Sequence, residues 1–300
     1  MNADLRYTGG QAQRKEHPMD TFENYRSLLF GIAYRMLGSV MEAEDMVQEA
    51  YLRYQATPPE SIRAPKAFLA TVVTRLCLDH LKSAQEKRTQ YFGPWLPEPL
   101  LTDDGAPQQR TIERESLSMA FLVLLESLSP AERAVFLLHE VFDYDYDEIA
   151  PIVGKEEAAC RQLLHRAKQH INEHRPRFQP TAEEHREILG KFMMAVGSGD
   201  VQSLTSLLAE DVVSWGDGGG KAHAGPRPMV GRDVVAKLLI GLGKRIANEG
   251  YTFLIEQING QPALVYKRDG QAFGVVLLDI GDGKIHGIRS VINPDKLRHL

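Results

Sequence analysis

Arg161, Gln162, His165, Arg166 and Lys168 are polar side chains close together on one stretch whose spacing is helical. Leu163, Leu164, Ala167 and Ile171 fall on the opposite face and must point inward. Arg and Gln near the start of such a helix are residue types that read base edges in a duplex groove. Glu156 and Glu157 come just before them. They suit the positive end of the helix dipole but would repel phosphate, so groove contact starts after them. A second candidate group lies far downstream at Trp215–Lys221, WGDGGGK, with His223 close behind. Its glycines let backbone amides approach a partner or an anion closely. Asp217 and His223 could pair as a carboxylate base and an imidazole in an apolar pocket. The plainer reading is a tight loop that Asp217 and Lys221 hold shut or dock on another domain, and docking is favoured. His170 and His174 are one helical turn apart, but no third ligand is near, so no metal is expected. Cys77 reads as a small buried residue; Cys160, near the basic helix, could sense oxidation, but nothing around it would lower its pKa.

The elements that must position these groups can be read in outline. Ser129-Pro130 opens a helix, as N-cap and first helical residue. Val135, Phe136, Leu137, Leu138, Val141 and Phe142 give it a thick apolar face. Asp147–Ala150 starts a second helix, and Gly154 can take the left-handed turn that ends it. The basic helix follows, giving a helix-turn-helix. Upstream, helical patterns run from about Thr21 to Leu37, from near Glu42 to Tyr54, and over Pro65–Leu81. Arg63, Lys66, Arg75, Lys82, Lys87 and Arg88 form a second basic surface, against only Asp79 and Glu86. Tyr91–Gln109 carries four prolines and two glycines and is a linker without regular structure. Trp95 within it is unusual for a free tether, so this piece is expected to dock. Another helix is expected over Thr111–Leu128. After Pro180 come two or three helices, the first two over Thr181–Val196 and Val201–Leu208. Strand patterns then occupy Tyr251–Ile258, Pro262–Lys267, Gln271–Leu278 and Lys284–Val291. Asn259-Gly260, Asp269-Gly270 and Asp282-Gly283 stand at hairpin positions.

Three hundred residues imply two or three domains. The net charge of −5 has the wrong sign for a generic DNA coat. Residues 1–177 hold 21 basic and 26 acidic side chains, and residues 178–300 hold 14 of each. Nucleic-acid contact must therefore come from local basic faces. Two distant cysteines argue for a reducing compartment, and no stretch reads as a signal peptide or membrane span, so a cytoplasmic protein is expected.

The order of parts resembles a family. AYRMLGSVMEAEDMVQEAYLRY at Ala33–Tyr54 is similar to the core-polymerase-binding segment of region 2 in extracytoplasmic-function sigma factors. PKAFLATVVTRLCLDHLKS at Pro65–Ser83 is similar to the part of region 2 that recognises the −10 promoter element, and the helix-turn-helix to region 4, which reads the −35 element. Phe192–Val212 resembles the start of a SnoaL-like cone domain. WLPEP at Trp95–Pro99, the loop Trp215–Lys221 and NPDKL at Asn293–Leu297 match strings of the subgroup that carries this extra domain.

The resemblance implies all-α region 2 and region 4 units followed by an α+β cone, with helices on a curved antiparallel sheet. The boundaries expected are a disordered tail at 1–19, region 2 at 20–90, the linker at 91–110, region 4 at 111–177 and the cone at 180–300. Bacterial core RNA polymerase is expected to meet Asp45, Gln48, Glu49 and Leu52. Arg63, Lys66, Arg75, Lys82 and Arg88 are expected at the −10 element, and Arg161, Gln162, His165, Arg166 and Lys168 at the −35 element. Trp95, Leu96 and Pro97 are expected to meet Asp217, Gly218, Gly219, Gly220 and Lys221, together with Asn293, Pro294, Asp295, Lys296 and Leu297. That contact would regulate the sigma regions in cis. No enzyme, cofactor, metal or membrane role is expected, and a small ligand in the cone is left open. Two other readings stand beside this one: a ligand-responsive helix-turn-helix repressor or activator, and a sigma factor whose cone is an active enzyme.

Overall fold

The computed structural model describes residues 18–88, 91–102, 116–174 and 180–300. Residues 1–17 of the expected tail, the end of the linker with the residues expected to open the next helix, and the Arg175–Arg177 boundary fall outside these residues, while Pro18 and Met19, read as tail, belong to the first helix.

The first unit consists of α1 (Pro18–Leu37), α2 (Val40–Ala56) and α3 (Pro65–Arg88). Gly38 makes the break between α1 and α2 in the left-handed region, and Ser39 then caps α2 by accepting from the Glu42 amide. The second unit opens with α4 (Met119–Glu126), which Ser118 caps by accepting from the Phe121 amide, so the helix read over Thr111–Leu128 starts only after the turn at Ser116 and Leu117. α5 (Pro130–Phe136) follows with the expected Ser129 cap, completed by Glu132 as a capping box. α5 widens into a π-helical turn at Leu137–Val141, so the long helix read from sequence is interrupted. α6 (Tyr146–Val153) ends at Gly154, which is left-handed as expected, and α7 (Glu157–His174) is the basic helix.

The two helical units are not beads on a string. Leu69 and Val73 of α3 belong to the same apolar core as Val135 of α5 and Ile149 and Ile152 of α6. Buried polar bonds cross the same seam. The Arg133 guanidinium donates across it to the Met36 carbonyl at 2.5 Å, and Arg35 donates to Ser116 at 2.8 Å; within the second unit Arg133 also donates to Glu126 at 2.9 Å.

The third unit holds α8 (Ala182–Ser198), α9 (Val201–Leu207) and α10 (Arg232–Ile246) against a sheet. Its strands are β1 (Leu208–Asp217), β2 (Met229–Val230), β3 (Thr252–Ile258), β4 (Gln261–Arg268), β5 (Gln271–Gly281) and β6 (Lys284–Val291), in the order β2-β1-β6-β5-β4-β3. The α+β cone is as expected, with one difference. The run β3 to β6 is antiparallel, but β1 lies parallel to β6, so the sheet is mixed. Antiparallel hairpin signals could not foretell β1, because α10 and the β2 pairing separate it from its partner in sequence. Asn259, Asp269 and Asp282 all have positive φ ahead of their glycines, as the hairpin turns require.

Alternation along the strands sends side chains to two cores. Leu264, Val276, Leu278 and Ile288 face the cone helices. Ala263, Val265, Val275, Leu277 and Val291 face the other way and pack with Leu96 of the linker and Met119 of α4. The outer face of the cone sheet is thus an interface to the sigma-like units.

His185 in α8 is buried and its Nε2 has no hydrogen-bond partner. Burial pushes its pKa down to about 4. The unfolded chain, with a His pKa near 6.5, takes up a proton first as pH falls. Stability is therefore expected to be full above about pH 6.5 and to fall by roughly 1 kcal/mol per pH unit down to about pH 4. Urea titrations across that range would show the slope, and His185→Leu should remove it.

Candidate functional site

Three sequence-distant segments meet around one buried carboxylate. Asp217 stands at the end of β1 and is fully buried. Its Oδ1 accepts from the Tyr91 hydroxyl at 2.5 Å and the Gly219 amide at 3.1 Å. Its Oδ2 accepts from the Leu96 amide at 2.8 Å and the Lys296 ammonium at 2.8 Å. Lys296 is itself buried, donates to the Leu96 carbonyl, and lies 4.3 Å from the Trp95 ring centroid. A buried ion pair is tolerable only when its remaining hydrogen-bonding positions are filled, and here they are. Burial, together with the Asp217 carboxylate it donates to, pushes the Tyr91 hydroxyl well above the usual phenol range. Asn293 donates to Tyr91 at 3.0 Å. Gly219 has positive φ, and a Cβ there would run into the Asn293 side chain, so glycine is needed for both reasons. Gly218 is buried, and its carbonyl accepts from the Lys221 and Ala222 amides. Gly220 packs on Phe92. Lys221 pairs with Asp295, which holds the Asp295 carboxyl below the usual range. Leu297 joins the interdomain core and Pro294 stays exposed. Trp95 and Leu96 thus lie against Asp217 and Lys296, Asn293 lies against Gly219, and Pro97 is buried.

The linker also grips the first unit, and here sequence reasoning missed two residues. Glu98 of the same WLPEP string is buried. Its carboxylate accepts from the Ser39 hydroxyl at 2.8 Å and from the Val40 and Met41 amides at 2.7 and 3.2 Å. It therefore caps α2 from outside the helix, where the dipole favours negative charge. The Trp95 ring sits on Gly38, where an added Cβ would come within 2.7 Å of it. Asn259, read only as a turn residue, is buried and donates to the Tyr34 hydroxyl at 2.6 Å and the Leu117 carbonyl at 3.0 Å. The Tyr34 hydroxyl in turn donates to the Glu98 carbonyl at 2.7 Å. One turn thus touches α1, the linker at Leu100 and the turn ahead of α4.

The nucleic-acid candidates lie on exposed faces, but most have protein partners. On α3, Arg75 donates to the carbonyls of Pro151 and Ile152 at 2.6 and 3.2 Å. The Lys66 ammonium lies 5.4 Å from the Tyr144 ring centroid, and Lys82 pairs with Asp79. Arg63 is exposed, and the Arg88 side chain lies outside the described residues. On α7, Arg161 pairs with Glu157 and covers Tyr146, Arg166 pairs with Glu132, and Lys168 with Glu140. Gln162 and His165 are exposed with no such partner among the described residues. On α2, Asp45, Gln48 and Leu52 are exposed beside the half-buried Glu49, which pairs with Arg53. Their spacing puts all four on one helix face.

The remaining candidates are quieter. Cys77 and Cys160 are buried, and burial raises both thiols, so neither is a poised thiolate. No metal-holding cluster occurs among the described residues, His170 and His174 included. No helix among them is long and apolar enough to cross a membrane. Asp217 is not exposed to the cone cavity that His223 lines, so the two do not form an acid–base pair.

Comparison with known proteins agrees with this layout. Residues 21–87 match sigma-70 region 2 and residues 118–171 match sigma-70 region 4. The chain is 36% identical to the extracytoplasmic-function (ECF) RNA polymerase sigma factor SigJ of Mycobacterium tuberculosis, over 92% of this chain and 91% of that one. This chain belongs to the ECF sigma factors. The probable ECF sigma factor SigI of the same species is 34% identical over 91% of this chain and 92% of that one. The crystal structure of SigJ superposes with a TM-score of 0.73 at 34% identity, covering 93% of this sigma factor and 97% of that chain. The likeness therefore extends through the cone and is not confined to the two sigma regions.

Proposed function

We propose that this sigma factor binds core RNA polymerase and directs promoter-specific initiation, with the cone holding regions 2 and 4 in a closed arrangement in cis. Core polymerase meets the α2 face of Asp45, Gln48, Glu49 and Leu52. The −10 element meets Arg63, Lys66, Arg75, Lys82 and Arg88, and the −35 element meets the outward face of α7. The observation that carries the regulatory part is Asp217, a cone carboxylate that binds the linker between the two sigma regions. A second observation points the same way. Promoter elements some 25 base pairs apart are roughly 85 Å apart along B-form DNA. Yet Arg75 of region 2 is bonded directly to α6 of region 4. Regions 2 and 4 must separate before both elements can be held at once.

The test is run-off transcription with purified bacterial core polymerase on a promoter selected by the protein itself. The full chain is compared with a chain ending at Arg177 and with full-length Asp217→Asn. Core-dependent, promoter-specific transcripts from the full chain are expected. Activity is expected to change at least threefold when the latch is altered. Tight duplex binding without core, and no transcript from any chain, would replace this reading with the repressor or activator one.

A further inference from the structure

The cone holds a cavity of about 990 Å³ between its sheet and helices, open to the surface on one side. Protein interiors are close-packed, and a space of this size is what a drug-sized ligand fills. Its walls are apolar and aromatic, with Phe192, Leu239, Tyr251, Phe253, Tyr266 and Phe273 among them. Tyr251 stands edge-on to Tyr266 and Phe273, with ring centroids 5.5 and 5.4 Å away, and Arg268 lies over the Tyr251 and Phe273 rings at 5.2 and 4.5 Å. The charged lining is one-sided: Lys221, Arg227, Arg245 and Arg298 against Glu249. Lys221 and Arg298 are committed to Asp295. Arg227 and His223 are exposed and have no hydrogen-bond or ion-pair partner among the described residues. An apolar, aromatic-lined space with uncommitted positive charge suits a ring-bearing organic acid.

The cavity wall and the latch are built from the same two segments. Lys221–Gly225 and Arg227 line the cavity, while Asp217 of that loop holds Tyr91 and Leu96 and Gly220 packs on Phe92. Pro294, Leu297 and Arg298 line the cavity, while Asn293 and Lys296 bond to the linker. The Lys221–Asp295 pair ties the two segments together. A guest that moves either segment must alter the latch, and by linkage the latch must alter the guest's affinity.

We propose that the cone cavity is a receptor site for a ring-bearing organic acid, held by Arg227, whose occupancy changes the hold of Asp217 on the linker. The consequence for transcription rests on the regulatory reading above, whereas the site itself does not.

The probe is 8-anilinonaphthalene-1-sulfonate, with the neutral N-phenyl-1-naphthylamine as its uncharged counterpart, both titrated into the full chain. Saturable one-to-one binding of the sulfonate is expected. Arg227→Ala should weaken it about tenfold, the range of one charge-assisted bond, while leaving the neutral compound within about twofold. Arg227 is exposed, so its loss should not disturb folding, and an unchanged denaturation midpoint checks this. Saturating sulfonate should also change hydrogen exchange at the Leu96 and Gly219 amides, and Asp217→Asn should shift the sulfonate's Kd. Unsaturable binding, or equal binding to the Arg227→Ala protein, would overturn the site. Saturable binding with unaltered exchange and an unaltered Kd in Asp217→Asn would overturn the coupling. If the sulfonate fails to bind while Asp217→Asn still changes transcription, the receptor fails and cis regulation stands. Binding without any transcriptional effect of Asp217→Asn would separate them the other way.

Discussion

Asp217→Ala is expected to lower the stability of the full chain by about 3–5 kcal/mol, the range for removing one partner of a buried ion pair. Four donors lose their acceptor at once: the Tyr91 hydroxyl, the Leu96 and Gly219 amides, and the Lys296 ammonium. Lys296 is the costly one, because it stays buried with a full charge and loses its counter-ion, keeping the Leu96 carbonyl and the Trp95 ring. Asp217→Asn keeps the shape and one acceptor, so it should cost less, yet its amide group would face donors. The double variant Asp217→Asn with Lys296→Met removes the stranded charge and should recover part of the loss. Urea denaturation measures all three. Hydrogen exchange at Leu96 should rise in the single variants, because the linker is released before the domains unfold. A loss below 1 kcal/mol with Leu96 still protected would mean that the latch is not held by this carboxylate.

Glu98→Ala should be nearly as damaging, at about 2–4 kcal/mol, since capping loss and stranded buried amides act together. It removes the acceptor of the Ser39 hydroxyl and of the Val40 and Met41 amides. The first turn of α2 should fray, and with it the α2 face offered to core polymerase. Affinity for core is therefore expected to fall together with stability. Asp45→Lys gives the contrast. Asp45 is exposed, so this change should weaken core binding with little effect on stability. If Glu98→Ala left core affinity unchanged while destabilising the chain, the linker would be shown to brace the fold without presenting α2.

Much of this molecule could be read from local chemistry. Ser129 with Glu132, Gly154, and the Asn259 and Asp282 turns each depend on a few neighbouring residues, and each stands where such residues place it. Helix and strand periods placed most elements, because burial on one face requires them. The strings at Trp95, Asp217 and Asn293 pointed to their own meeting through resemblance, and they do meet. The mixed sheet was beyond such reading, since β1 finds β6 across more than sixty residues and hairpin signals speak only for neighbours. So was α10, whose run Val234–Leu242 is interrupted by Gly241 and lacks a capping residue at Gly231.

The sites divide along the same line. Which residues carry charge on α3 and α7 is plain from composition, but Arg75 bonding α6, or Arg166 bonding Glu132, follows from how the units close on each other. Asp217 could be named from its string. That it is fully buried, paired with Lys296 and turned away from the cavity needed strand, linker and tail brought to one point. Types and spacings act over a turn or a hairpin; burial and partner choice depend on packing between segments as far apart as residues 96 and 296, and the chain order says nothing of that distance until it folds.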